Sequence, residues 1–351
     1  MRILKYLKLT DCYNHCKVNS KKRSYFKTKN LIFIMVFYDL LIFIFSLFVL
    51  IKGANFFVEN SAKLARHIGV SEFVIGLTLV SIGTSLPELA TSISASISKE
   101  SGLIIGNIVG SNIANIGLIL AIGTLLFTIE TKEKIFRRDS FFLLLVTILF
   151  IILSLDRIIS FIDASLFLII FFFYLLHLFR SKEEEREIHY ERFGKIGLKR
   201  DLTKQIILIV LGMVGLYFGA KLLIPSTTNI ATYLKVPSEL IAVSLIAIGT
   251  SIPELFVTIS AARKKLEKIL VGNIIGSNVS NILLIIGISG FINPVEVSNV
   301  ALYYLMPFML LMTFLFYKYI RNNWAARLFQ GISLLFIYLV FILGLIFFKL
   351  Y

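Results

Sequence analysis

Apolar residues gather into ten runs, at about 36–57, 70–98, 103–128, 140–155, 158–179, 204–224, 238–262, 269–292, 300–317 and 328–348. An α-helix needs about 20 apolar residues to cross the hydrocarbon layer of a bilayer. The pattern therefore predicts an all-α polytopic membrane protein with ten transmembrane helices. The longest charged interval, 180–204, parts the runs into two groups of five. The expected organisation is an extension over 1–34, a first unit over 35–179, a charged loop over 180–203 and a second unit over 204–351.

The two units are copies. A shift of 166 residues lays GTSLPEL (83–89) on GTSIPEL (249–255), and GNIVGSNIAN (106–115) on GNIIGSNVSN (272–281). Over 77–123 against 243–289, 23 of 47 positions are identical. The likeness reaches back to Gly53-Ala54 over Gly219-Ala220. Five spans per copy is odd, so the second copy enters the membrane from the opposite side. The expected architecture is a 5+5 inverted-topology repeat, a transporter arrangement with its site at the midplane between the copies.

Composition agrees. Of 351 residues 57% are hydrophobic and 16% charged, with a mean hydropathy of +0.87. These values exclude a soluble enzyme, a disordered chain and a disulfide scaffold. The net charge of +15 does not imply nucleic acid, because the Lys and Arg excess lies between apolar runs. With the first span starting outside, the connections on the inner side hold 21 Lys/Arg and those on the outer side 5. The positive-inside rule then puts the 180–203 loop in the cytoplasm and both ends of the ten-helix unit outside, in the plasma (inner) membrane.

The extension runs against that orientation, with nine Lys/Arg and a single acid, Asp11. It is expected to be an unstructured tail or an over-extended start, with Met35 just before the first run. It is no signal peptide, having no apolar core before a small-residue cleavage site. Cys12 and Cys16, with His15 between, are a weak metal pattern and read as part of that tail.

Glu88 and Glu254 lie inside apolar segments, where a carboxylate costs several kcal/mol and marks a functional cavity. Each follows a proline. Pro87 and Pro253 lack an N–H, which frees the carbonyls of Gly83 and Gly249 and breaks the helix. Thr84 and Glu88 share a helix face, as do Thr250 and Glu254. In the next span Asn107, Ser111 and Asn115 form a stripe, repeated by Asn273, Ser277 and Asn281. Beside it run Gly106 and Gly110, and Gly272 and Gly276, a spacing that lets membrane helices approach closely. Polar stripes of this kind often only glue helices together. A Pro-Glu within Gly-Thr-Ser that recurs at the offset of an Asn/Ser stripe points beyond glue. Every candidate donor is a hard oxygen, which suits Ca²⁺ or Na⁺ over zinc or copper. Two Glu carry −2, which one Ca²⁺ or several monovalent ions neutralise. An empty cage would be costly to occlude, and that condition makes an exchanger.

The doubled motif resembles the two α-repeats of the cation/Ca²⁺ antiporters, the sodium/calcium exchangers, in their compact prokaryotic form. The resemblance covers 35–351. It implies ten helices with the second, third, seventh and eighth as ion core, and alternating access by sliding of the first and sixth. By position it puts the central carboxylates on Glu88 and Glu254 and Thr ligands on Thr84 and Thr250, these four being the expected metal ligands. It puts Ser ligands on Ser111 and Ser277, carbonyl donors on Ser81 and Ala247, and the last polar position of each stripe on Asn115 and Asn281. Many members carry an acid at one of those last two positions; here both are Asn.

The function so implied is antiport of Ca²⁺ against Na⁺, with the ions as substrates and no cofactor, no enzymatic activity and no obligate protein partner beyond the lipid bilayer. The alternative is a carrier of the same family coupled to H⁺ or K⁺. A proton-coupled version would call for a titratable group besides the Glu pair, and the motifs hold none. A membrane-embedded hydrolase would need a nucleophile or a metal-binding His, Asp or Cys at depth, and a passive channel would not need gates on alternate sides.

Overall fold

The computed structural model describes residues 3–126, 129–130, 134–180, 198–234, 249–321, 325–326 and 328–349. Eleven helices account for nearly all of it. They are α1 (Ile3–Ile68), α2 (Glu72–Thr84), α3 (Leu86–Ile97), α4 (Ser101–Leu126), α5 (Lys134–Leu153), α6 (Phe161–Arg180), α7 (Leu198–Tyr233), α8 (Ile252–Arg263), α9 (Glu267–Ile292), α10 (Ala301–Arg321) and α11 (Leu328–Lys349). Where described, every apolar run falls mainly on helix; 127–128 and 238–248 lie outside the described residues. Among the described residues six helices are long and apolar enough to cross a membrane. The α2–α3 pair, bent by 48°, passes the same test when its two helices are taken together.

The bend has a local cause. Pro87 cannot donate to the Gly83 carbonyl, and Ser85, between α2 and α3, leaves helical geometry with φ −83° and ψ 9°. Ser251, before α8, adopts the same conformation with φ −84° and ψ 10°. The duplicated sequence thus gives the same backbone conformation at both serines. Lys99 and Lys265, again 166 apart, both take a left-handed φ, of 60° and 57°, at the ends of α3 and α8. There Glu100 N–H closes on the Ala95 carbonyl and Leu266 N–H on that of Ala261.

α4 and α9 form the centre, with 83% and 94% of their most apolar 18 residues buried, against 28–39% for the other long spans. Away from their buried Asn and Ser residues both are apolar, as helices enclosed by other helices are. α9 meets α2 through glycines. A Cβ on Gly272 would come within 2.5 Å of the Phe73 carbonyl oxygen, one on Gly76 within 2.6 Å of that of Ile269, and one on Gly276 would strike Leu77 and Ser81. Outside this core α1 and α7 run against each other along a second glycine seam. A Cβ on Gly53 would lie 3.0 Å from the Gly212 oxygen, and one on Gly212 2.7 Å from Phe57 N. Polar pairs close both ends of that seam, Asn229 donating to Asp39 (3.1 Å) and His67 meeting Gln205 (3.0 Å).

Four two-residue strands qualify the all-α expectation. β1 (Ile129–Glu130) pairs with β4 (Ala325–Ala326), and β2 (Ile158–Ile159) with β3 (Val295–Glu296), both antiparallel. The 166-residue shift carries β1 onto β3 and Ile159 onto Ala325, so the two ladders occupy equivalent places, with pairing offset by one residue. Each joins one unit to the other.

The backbone also departs from the expected tail. Helix α1 continues back to Ile3. Residues 1–35 contain neither Gly nor Pro, so no local breaker stops the helix before the first span. The side chains of that stretch, Cys12, His15 and Cys16 included, lie outside the described residues, as do 181–197 of the charged loop.

Candidate ion-binding site

The two breaks meet at the crossing of α4 and α9. Glu88, in the first turn of α3, and Glu254, in the first turn of α8, are each 1% exposed. They sit at helix N-termini, where free N–H groups and the helix dipole favour negative charge. Each is also served by the other unit. Ser85 donates to Glu254 Oε1 at 3.1 Å, and Ser251 donates to Glu88 Oε1 at 3.4 Å. The second carboxylate oxygens, Glu88 Oε2 and Glu254 Oε2, are buried without a partner.

The threonines cross over in the same way. Thr84 Oγ1 lies 3.2 Å from Asn273 Oδ1 and 3.4 Å from Ser277 Oγ. Thr250 Oγ1 lies 3.1 Å from Asn107 Oδ1 and 3.3 Å from Ser111 Oγ. The Asn/Ser stripe of each unit therefore packs against the broken helix of the other. The helical spacing of four makes this possible, because Asn107 and Ser111, like Asn273 and Ser277, stand one above the other on a single face.

Asn115 and Asn281 end the stripes, both 1% exposed and both with Oδ1 unpartnered. At each the helix widens into a π-turn, Asn115–Leu120 and Asn281–Ile285. Such turns shift the register of the next side chains and recur at functional sites. The Ser81 carbonyl, an expected donor, is occupied here by Ser85 N–H at 3.0 Å and Thr84 Oγ1 at 3.1 Å. Ala247, its counterpart, lies outside the described residues. Gly83 owes its place to close approach: a Cβ there would stand 2.8 Å from the Phe57 ring and 3.2 Å from Met213 Cε.

Two sets of residues escaped the sequence reading. Ser85 and Ser251 are the partners of the carboxylates, and their signal was the third letter of each Gly-Thr-Ser. Asn112 and Asn278 follow the serines of the stripes and share their doubling. Asn281 Nδ2 donates to Asn112 Oδ1 at 2.9 Å.

The donor set is two carboxylates among hydroxyl and amide oxygens. No group of three or more His, Cys, Asp or Glu that could hold a metal occurs among the described residues. Unpartnered buried oxygens are costly, and a hard cation satisfies them.

A cage of oxygens built twice over by one motif, deep in a bundle of membrane helices, is what a cation carrier requires, and the chain belongs to the sodium/calcium exchanger family. The model of the sodium/calcium exchanger protein family matches residues 38–180 and 204–347. Among its relatives, the sodium/calcium exchanger MaX1 of Methanosarcina acetivorans is 35% identical over 89% of this chain and 99% of its own. The inner membrane protein YrbG of Escherichia coli is 30% identical over 74% of this chain and 81% of its own. The solved structure of the sodium-calcium exchanger NCX_Mj, soaked with zero Na⁺ and Ca²⁺, superposes with a TM-score of 0.77 at 32% identity. That match covers 88% of this chain and 99% of the other. The family is one of transporters.

Proposed function

We propose that this chain is a secondary antiporter that exchanges Ca²⁺ for Na⁺ across the plasma membrane by alternating access. The ions bind between two inverted units of five spans each, with the 180–203 loop in the cytoplasm and both ends of the ten-helix unit outside. Glu88, Glu254, Thr84 and Thr250 are the metal ligands, joined by oxygens of Ser111, Ser277, Asn115 and Asn281 and by carbonyls one turn before the breaks, at Ser81 and Ala247.

The observation that carries this reading is the crossed pair of bonds from Ser85 to Glu254 and from Ser251 to Glu88. Each carboxylate takes a serine partner from the other unit. A cage shared across a two-fold relation can open to one side as one unit moves and to the other as its mate does, which is what alternation between two faces needs. The neutral Asn115 and Asn281 leave two charges for one divalent ion. They also leave no third acid for a proton, which supports Na⁺ over H⁺ as the coupling ion.

The test is Ca²⁺ flux in proteoliposomes with Na⁺, K⁺ and pH gradients imposed separately. Uptake follows the Na⁺ gradient alone, and a Na⁺-independent flux driven by pH would transfer the assignment to H⁺ coupling. Single cysteines in the 180–203 loop, against ones at Lys99 and Arg157, label from opposite sides of the membrane. Labelling from one side breaks the inverted arrangement.

A further inference from the structure

We propose that Asn112 is a positioning residue for cation binding, fixing the side-chain amide of Asn281 so that its Oδ1 faces the ions. This rests on the exchange reading above and assigns a residue that the ligand set does not contain.

Asn112 lies in α4 and is 1% exposed. Its Oδ1 accepts the Asn281 Nδ2 bond across the two units at 2.9 Å. Its own Nδ2 reaches the Asn278 carbonyl at 3.4 Å and Met309 Sδ at 3.7 Å. An amide has one donating and one accepting end, so committing the nitrogen decides where the oxygen goes. Asn281 continues the stripe of Asn273 and Ser277, which face Thr84. Its Oδ1 is buried and without a partner. The amide is thereby held as a neutral acceptor one turn beyond Ser277 on the face that meets Thr84.

The other half of the site lacks this lock. Asn278, 166 residues after Asn112, spends its Nδ2 on the Ile274 carbonyl of its own helix at 2.7 Å, and its Oδ1 has no partner. Asn115 Nδ2 therefore donates no matching bond to Asn278. One amide of the pair is aimed and the other is not.

A neutral oxygen adds coordination without charge. The carboxylate pair supplies the charge that a divalent ion needs, so the aimed amide matters more to the monovalent ion. The experiment is Na⁺-driven Ca²⁺ uptake in proteoliposomes, titrated in each ion, with variant protein in the membrane quantified. Asn112→Leu keeps the branching of the side chain, at a larger volume, and removes both amide ends. Half-saturating Na⁺ rises about fivefold, the scale of one neutral hydrogen bond, and half-saturating Ca²⁺ moves by less than about twofold. In an Asn281→Ala background the same change adds nothing, because the amide it aims is gone. Asn112→Ala removes the same acceptor without adding bulk or charge and gives the same Na⁺ shift, which covers the case in which the larger Leu fails to insert.

Equal shifts for both ions, a loss of maximal rate with neither half-saturation moved, additive effects in the double variant, or an Ala variant with wild-type Na⁺ dependence would each reduce Asn112 to interhelical glue. Glu88→Gln runs alongside. Wild-type exchange by that variant overturns the exchange reading itself. An inactive Glu88→Gln beside an unmoved Asn112→Leu overturns only the assignment of Asn112.

Discussion

The two halves of the site are alike where charge is held and differ where charge is steered. Around the carboxylates each contact has a copy 166 residues away: Ser85 to Glu254 and Ser251 to Glu88, Thr84 to Asn273 and Thr250 to Asn107. Behind them the copies diverge. Asn107 Nδ2 donates to the Glu88 carbonyl at 3.2 Å and to Ser92 at 3.0 Å. Asn273 Nδ2 and Thr258 Oγ1, the corresponding atoms, have no partners. An unpaired buried charge is costly, so losing either serine bond to a carboxylate would be penalised in both halves alike. A neutral amide tolerates drift at a cost of only about 1–3 kcal/mol for an unmade bond. Asymmetry can therefore accumulate in the outer layer of the site and not in its centre.

The largest effect is expected at the centre and should be the same on both sides. Glu88→Gln and Glu254→Gln each leave a divalent ion half neutralised in a medium of low polarity. Several kcal/mol are at stake, which predicts a loss of Ca²⁺ exchange of about a hundredfold or more. A large loss in one variant beside near-normal flux in the other would break the equivalence of the halves. Packing comes next. A Cβ at Gly276 strikes Leu77 and Ser81, so Gly276→Leu should lower the amount of folded protein in the membrane severely, as read by detergent-solubilised yield and melting temperature.

The smaller effects sharpen the contrast. Asn107→Ala removes two donated bonds and an acceptor for Thr250, while Asn273→Ala removes only the acceptor for Thr84. The first should cost about 1–2 kcal/mol more in thermal stability than the second. Equal losses would mean that the outer layer is as symmetric as the centre. Smallest of all is Lys264→Ala. It cuts the 2.8 Å ion pair to Glu59, but Lys63 stays at 2.7 Å and both partners are partly exposed, so the change should stay under about 1 kcal/mol.

The primary sequence carried the centre of the site because duplication wrote it twice. Glu in an apolar run after Pro, at an offset that also aligns an Asn/Ser stripe, can be read without coordinates. The partners of those residues could not be read, because Ser85 and Glu254 are 169 residues apart and nothing local says which faces meet. The breaks appeared at Ser85 and Ser251, two residues before the prolines that cause them, since the lost bond belongs to the preceding turn. The π-turns at Asn115 and Asn281 leave no mark, for one extra residue in a turn alters no hydrophobic period over so short a stretch. Two-residue ladders leave none either. The continuation of α1 back to Ile3 was hidden by charge: nine basic residues suggested solvation, whereas helix propensity depends on the missing Gly and Pro.

The two short ladders have a further consequence. β1 belongs to the first unit and is paired by β4 of the second, while β3 of the second is paired by β2 of the first. With the crossed serine bonds and the glycine seam between α1 and α7, they make each unit the template on which the other completes itself. Peptide continuity between the units then supplies proximity rather than structure. Two polypeptides, one ending before residue 181 and one starting after 197, should find each other when made in the same cell and co-purify as an active pair, while either alone is degraded.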